Sequence, residues 1–163
     1  MRATWTSRVV GIAVTTVFAM AMGIAASAQA PDPLVGTWKL DAAKSTFKPG
    51  PAPKSVTVAI EPAGKGIKVA IDTTPADGAP LKFGYTSMRD GKDVPVTGNP
   101  NIDTAAVTMA NPHEGNVTYK KGGKTTITAK VSVAKDGKTM TVVYEGTDPK
   151  GQALHNTYHY VKQ

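Results

Sequence analysis

Leu34-Val35-Gly36-Thr37-Trp38-Lys39-Leu40 follows the Pro-flanked stretch Pro31-Asp32-Pro33 and opens a series of short alternating segments that runs to the end of the chain. Downstream of it, Val56, Val58 and Ile60 alternate with Ser55, Thr57 and Ala59, and Ile67, Val69 and Ile71 alternate with Lys68, Ala70 and Asp72. Successive side chains of a strand point to opposite faces, so each segment has one apolar face and one wet face. The same period of two gives Leu81, Phe83 and Tyr85; Ala105, Val107 and Met109; and Val117 and Tyr119. It continues through Ile127, Ala129, Val131 and Val133, then Met140, Val142 and Tyr144, and ends at Leu154, Tyr158 and Tyr160.

Regular punctuation separates these rows: Glu61 to Gly66, Ala76-Asp77-Gly78, Arg89-Asp90-Gly91-Lys92, Gly122-Gly123, Lys135-Asp136-Gly137-Lys138 and Asp148-Pro149-Lys150-Gly151. Asp-Gly and Gly-Gly supply the positive φ that tight hairpins require. A meander of this kind leaves sticky edges unless it closes on itself. The expected fold is therefore all-β, an antiparallel up-and-down β-barrel of about 8–10 strands. The only helical-looking segment is Asp41 to Phe47, which Asp41 can cap and which Pro49 and Pro51 stop. The longest irregular connection spans 93–103, where Pro95, Gly98, Asn99, Pro100 and Asn101 are expected to cross one barrel mouth.

Upstream, residues 1–8 carry Arg2 and Arg8 and no acid, and 9–26 are uncharged and rich in Ala, Val, Ile, Met and Gly. This is the profile of a signal peptide, with cleavage expected after Ala28 at Ala26-Ser27-Ala28 because cutting after Ala30 would leave Pro31 in the way. An uncleaved anchor is the competing reading of an apolar run of this length. The expected organisation is a signal peptide at 1–28, a flexible lead-in at 29–33 and one barrel domain at 34–163. Removing 28 of 163 residues leaves 135, enough for one core. It also removes two of 19 basic residues and none of 12 acidic ones, so the net charge falls from +7 to about +5. The expected location is the periplasm or the medium, with no stable membrane insertion once the leader is gone. The sequence contains no Cys, so disulfides, thiolate catalysis, thiolate-bound zinc and an acylated N-terminal Cys are excluded.

Gly36-Thr37-Trp38-Lys39-Leu40 on a first strand, the meander, and the aromatic-rich Asn156-Thr157-Tyr158-His159-Tyr160 at its end resemble the calycin superfamily of lipocalins and fatty-acid-binding proteins. More narrowly, Lys44-Ser45-Thr46-Phe47 before Pro49-Gly50-Pro51-Ala52-Pro53, and Asp90 to Asp93 before Pro95 to Pro100, resemble uncharacterised bacterial secreted proteins of lipocalin-like type. The resemblance implies that Gly36 and Trp38 belong to the barrel floor, with the Trp38 ring covered by a basic side chain from the last strand, for which Lys162 is the nearest candidate. It also implies a polar grip on the last strand. Fatty-acid carriers use an Arg-x-Tyr there to hold a carboxylate; this chain has Asn156-Thr157-Tyr158, and beyond residue 28 its one Arg is Arg89. A bidentate clamp on an anion is therefore missing.

No constellation points to a reaction. His155 and His159 share a strand face but stand roughly 13 Å apart at the strand rise, too far to chelate one metal. His113 and Glu114 lie in a turn, and Ser55, Ser87 and Ser132 have no nucleophile-elbow context. Gly122-Gly123-Lys124-Thr125 lacks the upstream glycine of a phosphate loop. Lysines are spread through turns and wet faces rather than clustered, which argues against nucleic-acid binding. The expectation is a non-enzymatic barrel with no metal or other cofactor. Its ligand would be a small apolar or weakly polar molecule touching the inward aromatics Phe83, Tyr85, Tyr119, Tyr144, Tyr158 and Tyr160. The alternative is a packed barrel serving as an envelope structural or protein-interaction module, whose protein partner the sequence does not name.

Overall fold

The computed structural model describes residues 31–163, so the signal peptide, its cleavage site and residues 29–30 lie outside the described residues. Ten strands form one antiparallel sheet: β1 (Gly36–Leu40), β2 (Ser55–Ala63), β3 (Gly66–Thr74), β4 (Leu81–Ser87), β5 (Asp90–Pro95), β6 (Thr104–Asn111), β7 (Glu114–Lys121), β8 (Lys124–Val133), β9 (Thr139–Thr147) and β10 (Ala153–Lys162). The strand order is β4-β3-β2-β1-β10-β9-β8-β7-β6-β5. First and last strands therefore meet in the middle, with Trp38 opposite Lys162 and Leu40 opposite Tyr160. The two outer strands, β4 and β5, form no ladder with each other. A single bridge closes that seam, where Gly84 and Thr97 exchange two backbone hydrogen bonds of 3.0 Å. The result is a nearly closed barrel.

Each inward row follows from the alternation. Val56, Val58 and Ile60 on β2, Ile67, Val69 and Ile71 on β3, and Val107, Val117, Ala129, Met140 and Val142 further round are buried in one apolar cluster. Their alternates face water. Burying a side chain of this size contributes about 1.5–3 kcal/mol, so the row as a whole, and no single member, holds the barrel closed.

Between β1 and β2 the chain makes one turn of 3₁₀ helix at Ala42–Lys44, capped by the Asp41 carboxylate, which accepts the Lys44 N–H at 3.3 Å. The helical stretch expected from Asp41 to Phe47 is thus only three residues long. From Ser45 onward the chain lies along β10 as a strap. The Asp41 and Thr46 amides donate to the carbonyls of His159 and Thr157, and the His155 amide donates to Lys48 O at 2.7 Å. Local preference for a helix loses to the unpaired edge of β10, whose backbone groups need partners.

Asp90-Gly91-Lys92, expected to be a hairpin turn, belongs to β5 instead. The chain reverses at Arg89, which has φ 61, and Gly91 (φ 79) falls where the β5–β6 register shifts between Asp90 and Asp93. A glycine inside a strand can mark a bulge as well as a turn. The irregular crossing accordingly starts at residue 96 rather than 93. Its far end is tied to the β7–β8 hairpin by Asp103, whose carboxylate accepts the Gly122 N–H at 2.8 Å and the Lys121 ammonium at 2.7 Å. These two partners hold the Asp103 carboxyl below its ordinary range, the backbone donor being the stronger cause.

Candidate functional site

The barrel floor is built around Trp38, which is completely enclosed. Its indole N–H donates to Leu34 O at 2.8 Å, so the polar end of a large buried ring is satisfied within its own segment. The Lys162 ammonium lies 4.8 Å from the ring centroid and donates to Pro33 O at 3.1 Å. Gly36, at φ 141, makes this possible: a Cβ there would come within 2.6 Å of Lys162 Cε. Asp32 completes the floor, pairing with the Arg89 guanidinium and accepting the Leu34 N–H at 3.0 Å. Arg89 thus serves the underside of the barrel and takes no part in its interior.

All six aromatic positions expected to touch a ligand lie on inward faces, but the structure divides them. Phe83, Tyr119, Tyr144, Tyr158 and Tyr160 border a cavity of 220 Å³ at the mouth opposite the floor, together with Asn99 and Ile102 of the crossing loop. Tyr85 does not reach it. Deeper in the barrel, Tyr85, Tyr119, Tyr144 and Tyr160 border a second space of only 60 Å³, lined mostly by apolar groups such as Leu34, Val69 and Val142. A larger hollow, 670 Å³, is outside: it runs along the seam over Ala70, Asp72, Lys82, Gly84 and Thr97 and is open to solvent.

The mouth aromatics form one contacting group. Tyr158 meets Tyr144 edge-on with ring centroids 4.9 Å apart, Phe47 edge-on at 5.1 Å, and Tyr160 at 6.1 Å. Such edge contacts add about 0.5–1.5 kcal/mol each beyond area burial. Tyr85 and Tyr119 make a separate edge-on pair at 6.3 Å. Burial pushes the Tyr85 phenol up to about 12, against the smaller opposing pull of its hydrogen bond with Tyr119. Burial also raises Tyr119, Tyr144 and Tyr160 well above the ordinary value, and neighbouring phenols add to the effect. Tyr158 is raised by burial and lowered in part by a hydrogen bond from the Asn156 side chain. At neutral pH every phenol in the barrel is a neutral donor and acceptor.

Two contributors escaped the sequence reading. Phe47 comes from the strap, where no alternation marks it, and it reaches the mouth only because the strap lies along β10. Asn156 stands in the inward row of β10 between Leu154 and Tyr158, is 7% exposed, and lines the mouth cavity. Its position, two residues before Tyr158, is the one signal that could have found it. No charged side chain lines that cavity.

The histidines lie elsewhere. His155 pairs across strands with Glu145 at 3.2 Å, His159 faces the Thr141 hydroxyl at 3.2 Å, and His113 sits in the β6–β7 turn with its Nδ1 unpartnered. Among the described residues no three His, Cys, Asp or Glu side chains converge as metal ligands. No helix among the described residues is long and apolar enough to cross a membrane.

No protein-family model matches the chain. No curated protein matches it either. Among solved structures the chain is similar to a de novo designed fluorescence-activating β-barrel, at 12% identity and a TM-score of 0.45 over 80% of this chain and 94% of that one.

Proposed function

We propose that this protein is an exported, non-enzymatic carrier or sensor that holds one compact, uncharged molecule at the mouth of its barrel. The observation that carries the reading is the 220 Å³ cavity bordered by Tyr119, Tyr144, Tyr158, Tyr160 and Phe83 with no charged group in its lining. A few hydroxyls set in an apolar wall are what a small-molecule site needs for orientation and specificity. An anion would enter without a cation to meet it, and phenols held neutral can donate a hydrogen bond but cannot neutralise a carboxylate. The volume is below the ~300 Å³ at which sites for drug-sized ligands begin, and equals the room taken by about seven waters at ~30 Å³ each. The reading is thus of a compact ring system rather than a long acyl chain.

Export rests on the leader-like residues 1–28, and a place among the calycins rests on the Gly36-x-Trp38 resemblance, which the enclosed Trp38 and the Lys162 above it support. One observation favours a second reading, a packed barrel acting through its surface: the space inside the barrel proper is only 60 Å³. Titrating the delipidated protein with an uncharged naphthalene probe and with a fluorescent fatty acid separates them. The carrier reading expects saturable binding of the uncharged probe and weak binding of the acid. Tight binding of the acid that survives Tyr158→Phe contradicts the stated preference, and binding of neither favours the packed barrel.

A further inference from the structure

Asn156 is one of two buried polar side chains among the described residues, and its surroundings fix which way its amide points. The Lys48 backbone N–H donates to Asn156 Oδ1 at 2.6 Å. A backbone N–H can only donate, so the oxygen must face the strap, and the usual ambiguity between amide oxygen and nitrogen is settled by chemistry. The strap itself is held in place around this contact, with Lys48 O accepting from the His155 amide at 2.7 Å and the Thr46 and Thr157 backbones exchanging bonds of 2.8 and 2.9 Å. Nδ2 and its two hydrogens are left on the cavity side. Tyr158 stands two residues along the same face of β10 and borders the same cavity, so its hydroxyl, like the Asn156 amide, can donate into that space.

We propose that Asn156 and Tyr158 form a directed donor pair that recognises a hydrogen-bond acceptor, of the ketone or amide carbonyl kind, on the compact neutral molecule at the barrel mouth. This rests on the reading of the mouth as a binding site. Asn156 and Tyr158 border the same cavity, where apolar groups such as Ile71, Phe83 and Ile127 stand beside them. A carbonyl placed there gains two donors without meeting an unpaired charge, whereas a hydrocarbon of the same shape leaves both donors unmet. Asn156 is then a specificity-determining residue, and the strap at Lys48 is what positions it.

The test uses acetylnaphthalene and ethylnaphthalene, which share a ring system and differ in the carbonyl. In the wild-type protein the ketone is expected to bind more tightly, and in Asn156→Leu the ratio of the two affinities is expected to fall about tenfold, the worth of one good hydrogen bond. Because losing the Lys48 contact can weaken folding, a second measurement uses wild-type protein alone: the infrared carbonyl stretch of bound, carbon-labelled acetylnaphthalene is expected well below its position in hydrocarbon solvent. An unchanged ratio in a folded Asn156→Leu variant, or a carbonyl band at its hydrocarbon-solvent position, overturns the donor pair while leaving the binding site standing. Failure of both probes to bind overturns the carrier reading and this inference together.

Discussion

At the floor of the barrel the Trp38 indole is fully enclosed, donates its N–H to Leu34 and lies beneath the Lys162 ammonium; at the mouth, Tyr158 contacts both Tyr144 and Tyr160 beside 220 Å³ of space. Both ends use large aromatics carrying one polar atom. The floor satisfies that atom within the chain and fills the space around the ring, so its aromatic works for stability. The mouth leaves donors facing a cavity, so its aromatics are available for recognition. The difference lies in what the neighbouring segments supply. Residues 32–34 fold under the floor and are held by Arg89, Trp38 and Lys162, whereas the 96–103 crossing reaches the mouth only through Asn99 and Ile102.

The sharpest way to break the comparison is at the floor. Trp38→Ala is expected to cost about 3–5 kcal/mol in urea unfolding, the range for deleting a large enclosed aromatic. A loss of less than roughly 0.5 kcal/mol, typical of a surface site, would remove the floor from the account. The seam comes next. Gly98 has φ 86, and a Cβ there would stand 2.2 Å from Lys82 O, a backbone atom that cannot swing away. Gly98→Ala should therefore cost about 1–3 kcal/mol and loosen the Gly84–Thr97 bridge, which amide hydrogen exchange at Gly84 would register as faster exchange. Wild-type exchange there would mean that the crossing does not hold the seam. A smaller effect is expected from Lys162→Met, which keeps the stem but removes the cation over Trp38: about 0.5–2 kcal/mol, with the loss suppressed in Trp38→Phe less completely than in Trp38→Leu.

The mouth is sharpened by pH. All five tyrosines have phenols raised above the ordinary 10.0 by burial, Tyr85 to about 12. Between these values the unfolded chain releases protons that the folded chain keeps, so stability is at its full value below pH 10 and falls as pH rises toward 12. Tyrosinate absorbance should therefore stay near zero until the barrel unfolds, then appear in one cooperative step. Gradual ionisation near pH 10 in folded protein would show that the phenols are solvated.

How much of this was legible beforehand differs between the two regions. The inward rows are visible because period two is a local signal, readable within a few residues, whereas the Gly36-x-Trp38 floor is legible only through the resemblance of that strand to a known motif. Asn156 is not legible as a site residue, because a polar side chain in an apolar row means nothing until its partner, Lys48, is known. That partner is 108 positions away in sequence. Phe47 was hidden for the same reason, since the strap that carries it is shaped by β10 and not by its own pattern. Asp90-Gly91-Lys92 has hairpin composition, and only the register shift against β6 shows its glycine at a bulge within β5.

The central claim, that the mouth binds and the floor does not, is tested most directly by NMR of wild-type protein with labelled tyrosine rings and labelled tryptophan indole, titrated with acetylnaphthalene. The account predicts saturable shifts in the rings of Tyr144 and Tyr158, smaller ones at Tyr85, and none at the Trp38 indole N–H. Shifts at Trp38 as large as those at Tyr158, or tyrosine rings that stay still up to the solubility limit of the probe, would contradict it.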